Sequence, residues 1–397
     1  MRKNLLNRSL LKSARLKAAA AGLVLCLAGC SSLPDPQYPP AQLPSHSDTS
    51  QLVSVWQDHS GYGERWRGYQ LMPVLDGDLL IAADAKGFVQ AFDLSISGFF
   101  KSDLLWSQQL EQGVSAGLTL HNNSVYIATQ NGELLSVNAR TGAFNWRVNL
   151  SSEALSAPQI KDNLLVILAA DGRLAGIDVA TGRQLWTYDA LMPSLTLRGT
   201  AIPTVTSLQT FTGFANGKLV AIDNNSGQVR WETRITQPEG RTDIERLVDV
   251  RGQAKEAQGM LIVNSYQGQT HALDPFTGRS RWYKDVSSFH APAIFNNQVI
   301  IVDEASRIHA LDLFSGNRLW VQDALYGREL TEPVILEKTL VVADYQGYLH
   351  LLDAQTGTLT GRKNFDLDGI RATPVVSNNK LLVHSIRGRL GLFTLKK

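Results

Sequence analysis

The sequence predicts an all-β fold, an eight-bladed β-propeller of four-stranded antiparallel blades whose ring is closed by the amino-terminal strand completing the last blade. Three observations predict it. A string of glycine, five residues and aspartate or asparagine occurs as Gly132-Glu-Leu-Leu-Ser-Val-Asn138, Gly172-Arg-Leu-Ala-Gly-Ile-Asp178, Gly217-Lys-Leu-Val-Ala-Ile-Asp223 and Gly268-Gln-Thr-His-Ala-Leu-Asp274, and again, with single replacements in two copies, from Gly87, Ser306, Gly347 and Gly388. The eight copies begin 45, 40, 45, 51, 38, 41 and 41 residues apart, inside the roughly 40–50-residue period of four-stranded blades. An aromatic follows seven of them, and the strand missing from the eighth has a match at the other end of the chain.

Taken in order, residues 1–29 read as a signal peptide. Six basic residues, Arg2, Lys3, Arg8, Lys12, Arg15 and Lys17, precede an apolar run from Ala18 to Leu27. The run is far short of the roughly 20 residues a spanning helix needs. Its end, Leu27-Ala28-Gly29-Cys30, resembles the lipobox of bacterial lipoproteins. That resemblance implies cleavage before Cys30, acyl chains on Cys30, and, because Ser31 rather than aspartate follows, an outer-membrane destination. With Cys26 discarded and Cys30 lipidated, neither of the 2 cysteines remains for a disulfide, a metal site or a thiol nucleophile. Residues 30–50 then form a lipidated tether, with prolines at 34, 36, 39, 40 and 44 and few bulky aliphatics. Such a stretch buries too little apolar area to fold alone, and as polyproline II it reaches up to roughly 60 Å.

Residues 51–397 form the propeller. In the third unit, Pro158-Gln-Ile, Leu164 to Leu168, Arg173 to Ile177 and Arg183 to Trp186 are short, aliphatic, turn-bounded runs, as strands require. Asp171-Gly172 supplies the hairpin between second and third strands. The repeat aspartate, as in Asp178 to Gly182, is read as a turn residue holding local backbone groups. The fourth strands carry Trp106, Trp146, Trp186, Trp231, Trp282, Trp320 and Phe365, large flat side chains that face-packed sheets can bury. The eighth unit ends after its third strand, whereas Leu52-Val-Ser-Val-Trp56 has a tryptophan and no blade. Joining the two closes the ring and removes open edges.

Charge and motifs narrow the function. The six basic residues of the signal peptide leave with it, and the remaining 32 basic and 36 acidic residues carry a formal −4, a poor balance for displacing phosphate counterions, so no nucleic-acid partner is expected. The chain has no Gly-x-Ser-x-Gly, His-Glu-x-x-His or phosphate loop. His271, His309 and His350 share one third-strand position on successive blades. They cannot converge on one ion there, and a half-exposed strand position is the expectation. Asp303-Glu304 is expected to be a solvated turn. No catalytic and no metal-binding residue is assigned.

Two crossovers between blades depart from the repeat. The third-to-fourth crossover is apolar, Ala190-Leu-Met-Pro-Ser-Leu195-Thr-Leu197-Arg198-Gly199, and the fourth-to-fifth, from Gln237 to Arg251, is long and charged. Both leave the same face. Leucines beside an arginine in an extended loop suit protein recognition, although leucines could equally fill the gap between blades. Gln253-Ala-Lys-Glu-Ala, opening blade 5, also lacks the usual proline and aliphatics.

The string Ala221-x-Asp-x-x-Ser-Gly-x-x-x-Trp231 resembles the tryptophan-docking repeat of quinoprotein propellers. In those enzymes pyrroloquinoline quinone lies over the ring with calcium, often beside a vicinal disulfide. This chain has no cysteine pair and short blades, so no cofactor is expected, and a periplasmic quinoprotein-type oxidoreductase is the alternative reading. The lipobox, the ring, Ser194-Leu-Thr-Leu-Arg-Gly199 and Glu245-Arg-Leu-Val-Asp-Val250 together resemble the BamB family, lipoproteins of the outer-membrane β-barrel assembly (BAM) complex. The resemblance spans the chain. It implies a non-catalytic scaffold, lipid-anchored in the outer membrane and facing the periplasm. The POTRA domains of BamA would be held by Leu195, Leu197, Arg198 and Asp249. The family's second aspartate is Arg251 here, a reversal of charge. Unfolded outer-membrane proteins are a further candidate partner, through β-augmentation at sheet edges.

Overall fold

A computed structural model describes residues 37–396 except 48, 65–67, 97–102, 198, 240 and 243. Of the described residues, 37–39 belong to one unit, in which Gln37 Nε2 donates to Tyr38 Oη at 3.1 Å, and those from 40 onward belong to another. The second unit is built of eight four-stranded antiparallel sheets, with no helix among the described residues. In blade 3 the strands are Gln159–Lys161, Leu164–Leu168, Arg173–Asp178 and Gln184–Asp189, hydrogen-bonded in chain order. The short first strands are followed by second and third strands that are almost wholly buried, and by fourth strands that alternate. Eight hydrophobic clusters hold the ring, each drawn from two neighbouring blades, so that burial of apolar area stabilises the blade-to-blade joints.

The repeated string encodes one such joint. Asp178 Oδ1 accepts from the Thr181 N–H at 2.8 Å and hydroxyl at 2.7 Å, setting the hairpin before the fourth strand. Gly182 of that hairpin lies on the indole of Trp146 from the preceding blade. A Cβ there would sit 2.8 Å from the ring. Trp146 Nε1 donates at 3.0 Å to the carbonyl of Val179, next to the aspartate. Trp106, Trp186, Trp231 and Trp282 make the same bond to Ala139, Asn224, Pro275 and Leu313.

The seam closes as expected. Leu52–His59 pairs antiparallel with Arg389–Leu395, and Trp56 faces Leu392 in the register that tryptophan keeps in other blades. Blade 7 departs from expectation. Its tryptophan position, opposite Leu351, is Gly361, not Phe365, which follows the end of the fourth strand, Leu359–Asn364. The reason is steric. A Cβ on Gly361 would lie 2.1 Å from the carbonyl oxygen of Ser50, because Ala41, Pro44 and Ser50 are bonded along this blade. Ser50 N donates to Thr360 O at 3.0 Å, Arg362 Nη2 to Pro44 O, and Ala41 N to Tyr326 O at 2.9 Å. Phe365 instead packs edge-on against Phe393, with centroids 5.5 Å apart. Arg328, 2% exposed, joins this segment to the blade: its Nη1 donates to Ala41 O at 3.0 Å and its Nε to Asp344 Oδ2 at 2.8 Å.

Candidate functional site

Fourth strands end against the turn between second and third strands, Ala190 N donating to Gly172 O at 3.1 Å and Ile235 N to Gly217 O at 2.9 Å. Crossovers and these turns therefore share one face. The third-to-fourth crossover is pinned at both ends. Asn216 Nδ2 donates to Leu191 O at 2.9 Å and Met192 covers Gly172 at one end, while Thr200 Oγ1 bonds Ser156 Oγ at 2.9 Å at the other. Between the pins Leu195 is 44% exposed and Leu197 half-buried, and Leu191 is 90% exposed. Arg198 and Cys30 lie outside the described residues.

The fourth-to-fifth crossover begins with a capped turn, in which the Glu245 carboxylate accepts from Arg241 N at 2.7 Å and Thr242 N at 3.1 Å. Ile244 on that turn is 69% exposed. The chain then dives. Val248 and Val250 are buried, Tyr266 N donates to Asp249 O at 2.8 Å, and Asp249 is only 4% exposed. A polar groove of about 570 Å³ runs beside this crossover, lined by Arg234, Gln237, Glu245, Gln269 and Asp285 among others. The structure thus presents Leu195, and Leu197 in part, on one face and places Asp249 inside. Sequence reasoning marked the apolar crossover without singling out Leu191, and it missed Ile244, whose signal was an aliphatic between Asp243 and Glu245.

The unusual opening of blade 5 lines the interior of the ring. Lys255 Nζ donates to Gln253 Oε1 at 2.5 Å and Gln253 Nε2 to Pro203 O at 3.2 Å. Arg251 and Glu332 border one small void of about 20 Å³, with Ser156, Thr200 and Ile202. Burial pushes the Asp249 carboxyl up to about 7 against the pull of Arg251. It raises Glu332 against its Ala291 N–H, Lys255, Thr373 and Arg251, and takes Glu64 to about 8 against Arg371 and the Leu71 N–H. Carboxyls that bind protons more tightly when folded stabilise the fold fully below their ordinary values, and this contribution is lost as pH rises through the folded ones. For Asp249 and Glu64 the windows run from 3.8 to about 7 and from 4.5 to about 8. The histidines act oppositely. Burial, with Arg251 nearby, drops His290 to about 3 and also lowers His271, His350 and His384, so their contribution is lost as pH falls below 6.5. Thermal melts should therefore show the midpoint falling between pH 6 and pH 9 by several degrees, with a smaller fall in Glu64→Gln and in Asp249→Asn; equal slopes in all three proteins would contradict these assignments.

Two expectations are corrected. His309 and His350 are buried rather than half-exposed, and each bonds, at 2.9 Å, the aspartate six residues earlier in the preceding turn, Asp303 and Asp344; His271 is buried too. Asp303 is not solvated, since its carboxylate accepts from Ala305 N at 3.0 Å and Arg307 N at 2.8 Å besides His309. An uncompensated carboxylate would be costly there, which is why the turn wraps it. Among the described residues no group of three or more His, Cys, Asp or Glu is placed to hold a metal ion.

Tryptophan-docked blades define a propeller of the quinoprotein-repeat class, and this one exposes aliphatics on two neighbouring crossovers. A family model described as outer membrane protein assembly factor BamB matches residues 101–322. The factor of that name from Shewanella oneidensis is 32% identical over 386 residues, covering 95% of this chain and 98% of its own. The crystal structure of BamB from Moraxella catarrhalis superposes with a TM-score of 0.77 at 26% identity, over 87% of this chain and 100% of that one. A europium-containing methanol dehydrogenase, 14% identical over 86% of this chain and 93% of its own with a TM-score of 0.68, is alike in fold alone. The chain belongs to the BamB family, a family of assembly factors and not of dehydrogenases.

Proposed function

We propose that this chain is a non-catalytic subunit of the outer-membrane β-barrel assembly complex, which docks on the POTRA domains of BamA through its crossover face and so assists insertion of β-barrel proteins. Family membership supports the role in outer-membrane protein assembly. The observation that carries the docking site is the exposure of Leu191, Leu195 and Ile244 on adjacent crossovers. Leu195, Leu197 and Arg198 are assigned direct contact, and Asp249, only 4% exposed, support from within the next crossover. The test is purification of the tagged chain from membranes with identification of its companions: BamA in stoichiometric yield is expected, and a chain that emerges alone contradicts the reading.

Anchorage at the outer membrane rests on Cys30. Cys30→Ala is expected to release a soluble periplasmic form. Fractionation that leaves the variant on the membrane, with unchanged electrophoretic mobility, would count against lipidation.

A further inference from the structure

The charge reversal at residue 251 has a structural counterpart on the neighbouring crossover. Gly199 ends the Leu195–Leu197 loop with a φ of +132°, and a Cβ there would lie 2.2 Å from Arg251 Cζ, 2.3 Å from Nη2 and 2.5 Å from Nε. The guanidinium plane is therefore stacked on the backbone of the loop. Only glycine leaves room for it. Arg251 itself is half-buried, with Asp249 two residues before it and Glu332 beside the same small void. A planar cation can cover a backbone face and answer carboxylates at its rim at once, which a lysine ammonium cannot. Thr200 and Ile202, the continuation of the loop, line that void as well.

We propose that Arg251 is a positioning residue that locks the two crossovers into one partner surface, holding the Leu195–Leu197 loop from within the ring through Gly199 while Asp249 and Glu332 balance its charge. This rests on the docking reading above. Arg251 does its work without touching the partner. In place of a second acidic residue directed at a partner, this chain has a cation directed at its own loop.

Amide hydrogen exchange on the free full chain, extracted in detergent, tests the lock without the partner. In Arg251→Ala, amides 194–199 should exchange about tenfold faster while the second and third strands of every blade keep the parent's protection. Arg251→Lys keeps a cation for Asp249 and Glu332 but not the flat face, so the same local acceleration is expected even should the alanine variant fold poorly. Parental exchange in these amides of the lysine variant would overturn the proposal. Titration with the periplasmic domains of BamA then separates positioning from contact. Arg251→Ala should weaken binding about tenfold in the parent and under about twofold once Leu195→Ala and Leu197→Ala are present, because it acts through them. Additive losses would mean that Arg251 meets the partner itself, overturning the proposal. If the double leucine variant binds like the parent, the docking site falls, and the exchange result still decides the lock.

Discussion

Deleting residues 51–57 is expected to lower the thermal midpoint by roughly 10 °C or more and to make the protein associate. The strand from Leu52 to His59 pairs with Arg389–Leu395 as the outer strand of the last blade. Leu52 is buried in the cluster joining blades 7 and 8. Trp56 stands edge-on to Phe92 with centroids 5.1 Å apart, and its Nε1 donates to Asp103, so it joins blade 8 to blade 1. Loss of a packed tryptophan costs about 3–5 kcal/mol and each ladder hydrogen bond about 1 kcal/mol. With roughly six ladder bonds lost, half of that sum is about 5 kcal/mol, or about 10 °C at roughly 2 °C per kcal/mol in a domain of this size. The bared Arg389–Leu395 edge would offer unpaired N–H and C=O groups to other chains. Calorimetry with light scattering reads both effects; a monodisperse truncated protein melting within about 2 °C of its parent would show that the ring does not depend on this strand.

The triple variant Leu195→Ala, Leu197→Ala, Arg198→Ala is expected to bind the periplasmic domains of BamA at least about tenfold more weakly, a loss of about 1.4 kcal/mol. Burying two leucines at an interface centre contributes roughly 1–3 kcal/mol, and truncating an arginine anchor costs on the order of 2 kcal/mol. The midpoint should shift by less than about 2 °C, since neither leucine belongs to a cluster between blades and Leu195 is exposed. Leucines that merely filled the gap between blades would give the reverse, a lower midpoint with intact affinity. Titration and melting on the same preparation decide between them.

Much of the ring was legible because its signals are local. Asp178, Thr181 and Gly182 build their turn from atoms at most a few residues apart, and the tryptophan that receives the turn recurs at one register, so the string reports the blade and the joint together. The seam was legible because a strand was missing at one end and spare at the other. What sequence reading missed depends on segments far apart in the chain. Gly361 stands in place of a tryptophan because Ser50, over three hundred residues earlier, lies on it. His309 and His350 look like exposed strand residues until their aspartates are seen to turn inward; the six-residue spacing to Asp303 and Asp344 was the available sign.

The candidate site was marked in the sequence by departure from the repeat, and unevenly so. Apolar residues in the third-to-fourth crossover marked a loop that the structure exposes at Leu195. Asp249 was assigned to the partner site through the family resemblance, but Val248 and Val250 on either side are buried and Asp249 is buried with them. The polar opening of blade 5 was visible as a departure from the repeat, but its place inside the ring was not, nor was Glu332, which comes from another crossover.

Site-specific photocrosslinking in intact cells tests most directly which face meets the partner. A photoreactive residue at position 195, and another at position 191, should capture BamA. One at position 208, on an exposed turn of the opposite face, should capture none. BamA captured from position 208, with none from 191 or 195, would contradict the docking face assigned to this propeller.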